Sequence, residues 1–304
     1  KEMKELAKTD GGARKSKITG IPKLDDANKA GTAQSKKCTL IVTEGDSAKT
    51  LAVAGLSVVG RDHYGVFPLR GKCNNVRDAS VAQLSSNQEF SDLKKILGLQ
   101  QGKEYTDVSE LRYGRLMIMT DADNDGSHIK GLIINMIHAF WPSLLDLGFV
   151  VSMVTPIIKA TKGSQSKSFY TDSAFRAWYG DGKAGWRIKY YKGLGTSTSA
   201  EAREYFKMIE TLTVKFDVDV MTDESVVLAF DKKKADARKT WLLESTAKEA
   251  NQLEVSYGNI KQLDISEFIH KDLVNFSLAD LKRSIAHVAD GLKPSQRKVM
   301  YSCF

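Results

Sequence analysis

The chain has 304 residues, a net charge of +8 and a hydrophobic content of 42%, which suits about two domains with a real core and an anionic partner. Its three scattered cysteines, Cys38, Cys73 and Cys303, form no CxxC pair; they argue against a disulfide framework or a zinc site and for a reducing compartment. A signal peptide and an apolar run of membrane-spanning length are both missing, so no membrane is expected among the partners.

Residues 1–37 are polar, rich in Lys and Gly, and weakly periodic. They read as a linker or irregular leader. Residues 38–160 alternate strand-like and helix-like segments. Thr39–Thr43 is an apolar, β-branched run; Ser47–Val59 reads as a helix, Tyr64–Leu69 as a short strand and Leu116–Thr120 as a second buried strand. Ile129, Leu132, Ile133, Met136, Ile137 and Phe140 recur at helical spacing across Ser127–Leu145, and Phe149–Ile158 is β-rich. Such alternation predicts a mainly parallel sheet. Residues 161–255 are more polar and read as a smaller α+β section. Residues 256–304 hold a helical stretch over Ile265–Ile285, a turn at Asp290-Gly291-Leu292-Lys293-Pro294, and a basic helix from about Ser295. Helix, turn and basic helix is an arrangement used on DNA. The chain opens on Lys1 and stops at Phe304 just after that helix, and it reads as a piece of a longer protein.

Two acidic segments stand out. Glu44-Gly45-Asp46-Ser47 follows the first apolar run, and Asp121-Ala122-Asp123-Asn124-Asp125-Gly126 follows the second. In open α/β sheets functional groups gather beyond the carboxyl ends of the strands. Glu44, Asp121, Asp123 and Asp125 can therefore meet at one edge. Clustered carboxylates repel unless a cation sits among them, and Mg²⁺ with oxygen ligands suits phosphate substrates. Asp121, first after its strand, is best placed to bridge ions. Glu44 faces it and can also move a proton. The DxDxDG run also fits the start of an EF-hand, but Leu132 stands where that loop needs a bidentate Glu. An Asp-rich turn also serves simply as a helix cap, with Asp125 or Ser127 as the N-cap. His128 is a lesser candidate for touching a phosphate.

Together Glu44-Gly45-Asp46-Ser47-Ala48 and Asp121-x-Asp123-x-Asp125-Gly126-Ser127-His128 resemble the two signatures of a TOPRIM domain, which also occurs in primases, type I topoisomerases and some nucleases. Pro68-Leu69-Arg70-Gly71-Lys72 with Asn75-Val76-Arg77, Tyr191-Lys192-Gly193-Leu194-Gly195-Thr196, and Asp290–Lys298 resemble type IIA topoisomerases. Ala229–Arg238 and Gly20–Ala27 resemble the eukaryotic type II enzymes in particular. The likeness runs from about residue 15 to 304, with the motifs in family order.

The resemblance implies an α/β TOPRIM fold, a Rossmann-like mainly parallel sheet with flanking helices. An α+β extension and the first helices of a winged-helix DNA-gate domain would follow. The activity implied is ATP-dependent passage of one DNA duplex through a transient break in another. Glu44, Asp121 and Asp123 would hold Mg²⁺, with Asp125 a weaker ligand and Mn²⁺ or Ca²⁺ as substitutes. Lys72 and Asn75 would meet DNA near the break, as would Lys192, Arg238, Lys293, Arg297 and Lys298. Asp46, Arg70 and Gly71 would border the pocket of cleavage inhibitors. The partners implied are double-stranded DNA and a second subunit supplying the nucleophilic tyrosine, in the nucleus. ATP would bind to an ATPase region preceding this segment, since no nucleotide-binding motif appears here. Arg112-Tyr113 and Tyr301 are the wrong place for the nucleophile, so the chain alone is expected to be inactive. Ser295 stands where the family often has Gly, and Ala286 where Pro is common. A stand-alone metal-dependent TOPRIM nuclease and a non-catalytic DNA-binding module are the alternatives.

Overall fold

A computed structural model describes residues 2–11, 18–180, 182–247 and 253–304. Its centre is a six-stranded sheet in the order β2-β1-β3-β4-β8-β9. Helix α1 (Glu2–Ala7) precedes it. Then come β1 (Thr39–Thr43), α2 (Asp46–Val59), β2 (Tyr64–Pro68), α3 (Val81–Ser86), α4 (Gln88–Leu97), β3 (Arg115–Met119), α5 (Asn124–Phe140), α6 (Ser143–Asp146) and β4 (Val150–Met153). These four strands run parallel, as the βα alternation predicts.

Both faces of the strands are covered, which is why their sequences are continuous apolar runs. Leu40, Val42, Leu116 and Ile118 face one core with Ile129, Leu132 and Ile133 of α5. Ile41, Met117 and Met119 face the other with Leu51 and Leu56 of α2 and Phe206. The predicted helix over 127–145 is two helices, because α5 stops at Phe140 ahead of Trp141 and Pro142. Proline lacks the amide that would continue the ladder.

The β-rich stretch over 149–158 divides near Pro156. β5 (Ile158–Lys162) joins β6 (Gln165–Phe169) and β7 (Arg187–Tyr190) in a separate antiparallel sheet, with α7 (Asp172–Tyr179) packed on one face. The chain then returns through α8 (Ser199–Lys207) to β8 (Thr213–Asp217), which pairs antiparallel with β4. Helices α9 (Thr222–Phe230) and α10 (Ala235–Thr246) lead to β9 (Gln262–Asp264). The helix predicted over 265–285 is continuous but irregular: α11 (Ile265–Glu267), a π-helical stretch (Phe268–Leu273) and α12 (Val274–Ser284). After the turn comes α13 (Pro294–Cys303).

Of the expected leader, residues 1 and 12–17 lie outside the described residues. The remainder is mostly irregular, but it is bound to the core. Asp25 exchanges two backbone hydrogen bonds with Val66, and Asp26 accepts from Arg112 and Tyr113. Lys94, with its side chain 1% exposed, reaches the Leu6 carbonyl and the Asp10 carboxylate at 2.7 Å each. A buried ammonium needs such partners, so this segment is fixed more firmly than its composition suggests.

Candidate metal centre and nucleic-acid interface

The register pairs Thr43 with Met119, so Glu44 and Asp121 leave the sheet at the same end. The Asp121 amide donates to Glu44 Oε2 at 3.3 Å. Burial pushes the Glu44 carboxyl up to about 7, and the charges of Asp121, then Asp123 and Asp125, add to the rise, against the opposing Asp121 amide. The carboxyl is held where a negative charge is costly.

Asp121 is positioned by its neighbours. Its Oδ1 accepts the Leu194 amide at 2.7 Å. A Cβ on Gly193 would fall 2.1 Å from Oδ2, and one on Gly126 would fall 2.0 Å from the Asp121 carbonyl oxygen. The Gly-rich turn at 191–196 thus serves the acidic cluster directly, and both glycines are there because Asp121 approaches their backbones so closely. Asp123 is the N-cap of α5: its Oδ1 accepts the Gly126 amide at 2.8 Å. The cap is therefore one Asp earlier than the expected Asp125 or Ser127.

Asp125 faces cations. Arg283 donates to both of its oxygens at 2.8 Å, and Lys72 donates to Oδ1. The Arg283 pair, then Lys72, hold the Asp125 carboxyl well below the usual range despite partial burial. Bidentate Arg–carboxylate pairs are among the stronger hydrogen-bonded contacts. In this arrangement Asp125 ties together the start of α5, the loop after β2 and the end of α12. Lys72 lies 4.5 Å from the Phe276 ring centre and the Arg283 guanidinium 5.6 Å. His128 stacks on the same ring at 3.8 Å. Burial, then nearby Lys72, lower its pKa to about 4, and its ring serves to pack on Phe276 in the fold.

Among the described residues no three His, Cys, Asp or Glu side chains close into a metal cage. The donors do fit a hard divalent ion held by one or two carboxylates and completed by water and phosphate. Glu44 and Asp121 would hold it, with Asp123 beside them, and the raised pKa of Glu44 is the mark of a cluster short of positive charge.

The expected nucleic-acid contacts divide into two groups. Lys192, Lys293 and Lys298 are exposed. Arg297 is exposed but forks onto Asp290. Asn75 is engaged within the fold: its amide bonds Asp78 and the Phe230 carbonyl at 2.8 Å each, and its Oδ1 accepts from Arg77 and Asn135. With donors and acceptor engaged it is an internal brace. Arg238 is another, donating to the Leu228 and Asp231 carbonyls at the end of α9. Asp46 pairs with Lys23 at 2.6 Å, and the Arg70 amide donates to Glu89 at 2.6 Å. Since Thr43 pairs with Pro68, the turns bearing Asp46 and Arg70–Gly71 are neighbours at the same sheet edge. Arg283 was missed by sequence reasoning; its signal was its place before Ser284-Ile285 in the family-like segment. Tyr113 is fully buried, donating to Asp26 and accepting from the Ala27 amide.

A mainly parallel sheet with acidic turns at its carboxyl edge defines a Toprim domain. Residues 39–153 match the Toprim domain family, and residues 153–281 match the C-terminal associated domain of TOPRIM. The chain is 54% identical over 298 residues to a probable DNA topoisomerase 2 of Dictyostelium discoideum, covering 97% of this chain and 19% of that protein. It is 52% identical over 317 residues to DNA topoisomerase 2 of Drosophila melanogaster, covering 100% of this chain and 22% of that one. The crystal structure of the Plasmodium falciparum topoisomerase II DNA-binding, cleavage and re-ligation domain matches with a TM-score of 0.87 at 50% identity, over 95% of this chain and 40% of that chain. The chain belongs to the DNA topoisomerase 2 family and spans about a fifth of the length of these curated relatives.

Proposed function

We propose that this chain supplies the metal-binding half of a site that cleaves and rejoins duplex DNA by transesterification. The observation that carries the reading is the meeting of Glu44 and Asp121 at one strand edge, with Asp121 locked by Leu194 and Gly193. A divalent ion, Mg²⁺ by its chemistry and replaceable by Mn²⁺ or Ca²⁺, stabilises charge on the attacking and leaving oxygens of a phosphodiester when bound. Glu44 and Asp121 orient that ion, and Asp123 keeps one oxygen for it while the other caps α5. Glu44, facing Asp121 from the neighbouring strand, is also placed to move a proton at the leaving oxygen. Lys72 and Arg283 present positive charge beside the cluster, where they fix a backbone without reading sequence.

In this reading the nucleophile is a tyrosine of a second subunit in a nuclear homodimer, and ATP is used by a different region. Residues 256–304 lead into a winged-helix DNA-gate domain. The test uses a longer protein carrying this chain. It is incubated with supercoiled DNA and Mg²⁺, denatured with detergent, and examined for DNA ends joined to protein. Adducts in the wild type and none in Asp123→Ala are expected. Breaks with free ends would point to a hydrolytic nuclease, and equal adducts in both proteins would overturn the assignment.

A further inference from the structure

The small sheet β6-β5-β7 carries most of the excess charge. From Ile158 to Tyr190 stand seven Lys and Arg against two Asp, a net +5 of the chain's +8. Several of these cations are already engaged: Lys159 with Glu204, Lys189 with Glu201, Arg176 with Asp172, and Lys162 on the Ala184 carbonyl. Lys167 and Lys183 are different. Both lie over the Trp178 ring, at 5.5 and 5.3 Å from its centre, and among the described residues neither pairs with a carboxylate. They are exposed, and Trp178 is half-buried.

Lys167 and Trp178 line a groove of about 350 Å³ together with the hydroxyl residues Ser168, Thr171, Ser173 and Ser256. No Asp or Glu lines it among the described residues. Tyr170 and Thr171 also line a neighbouring cavity of about 240 Å³, which differs in carrying Asp123, Asp172, Glu254 and Asp272.

We propose that this groove is a second, sequence-independent nucleic-acid site. Phosphates meet Lys167 and Lys183, the hydroxyls donate to backbone oxygens, and a sugar or base lies against Trp178. Cations around an aromatic face form a surface that accepts every base, because each has a π-face. An acidic peptide would use the lysines but leave the indole beside them unused, whereas a nucleic acid uses both.

The whole chain is titrated in EDTA against a fluorescein-labelled 20-nucleotide dT strand, followed by anisotropy at several salt concentrations. In the Lys167→Gln/Lys183→Gln variant, affinity falls about tenfold and the salt slope shrinks by about 1.4, at roughly 0.7 for each lost single-strand phosphate contact. Binding quenches tryptophan fluorescence in the wild type, and the quench disappears in Trp178→Phe, which keeps a ring in the small core. Unchanged affinity and slope in the double variant would overturn the proposal. So would a fluorescein-labelled decaglutamate that binds as tightly and displaces the strand, since the groove would then be a protein-docking surface. Because no metal is present, failure of the carboxylate assignment leaves this result unaffected.

Discussion

At the strand end of the acidic turn, Asp121 is held by a backbone amide and two glycines, and among the described residues no cation pairs with it. At the helix end, four residues later, Asp125 is gripped by Arg283 and Lys72. Two carboxylates of one motif thus meet opposite surroundings. The first end is fixed by uncharged backbone groups, in the arrangement we propose a metal completes. The second has its charge matched and spends it on joining three segments of the chain. Spacing alone makes these positions look equivalent; the residues that separate them come from 193–194 and 283, far away in sequence.

The sharpest way to break this contrast is at the glycines. Gly126→Ala places a methyl 2.0 Å from a backbone oxygen that cannot rotate away, and should cost about 3 kcal/mol. Urea unfolding measures it, and near-wild-type stability would mean that the turn opens easily. Next comes metal affinity. Asp121→Asn should weaken Mn²⁺ binding, followed by electron paramagnetic resonance, by at least about tenfold, or 1.4 kcal/mol. Asp125→Asn should leave it within about twofold, because its oxygens already belong to Arg283 and Lys72. Equal losses in the two variants would erase the distinction. Gly193→Ala presses on a side chain, which can swing aside, and should cost only about 1 kcal/mol of stability. It should nonetheless reproduce the metal defect of Asp121→Asn.

The last test is one of pH. The Glu44 carboxyl titrates near 7 in the fold against 4.5 in a model peptide. Between those values the folded state binds more protons than the unfolded one, so metal-free stability falls as pH rises through the window. Melting curves in EDTA at either end should show that fall, and Glu44→Gln should flatten it. Mn²⁺ affinity should move the other way, rising toward pH 7, since the ion displaces the Glu44 proton.

What the sequence disclosed follows from the range of the interactions. Local patterns were legible: Thr39–Thr43 is a strand as its apolar run implies, the run over Leu116–Thr120 is a strand shifted by one residue to Arg115–Met119, and the helix read from Ser127 starts at Asn124. The meeting of Glu44 with Asp121 follows from parallel pairing of neighbouring strands, a topological rule rather than a local one. Asn75 was unreadable as a brace, because its partners are Phe230, Asn135 and Asp78. The bound leader was equally opaque: Lys94 is 88 residues from the Leu6 carbonyl it holds. Polar residues that look solvated in sequence become internal ties when the fold supplies distant acceptors.

The Leu194 amide lies in the segment matching the associated domain, while its acceptor, Asp121, lies in the segment matching the Toprim domain. Any ion that draws electron density from Asp121 weakens that hydrogen bond, so the amide proton of Leu194 shifts in its nuclear magnetic resonance and exchanges faster with solvent. A residue that never contacts the metal thereby reports, across the boundary between two family segments, whether the carboxylate is in use.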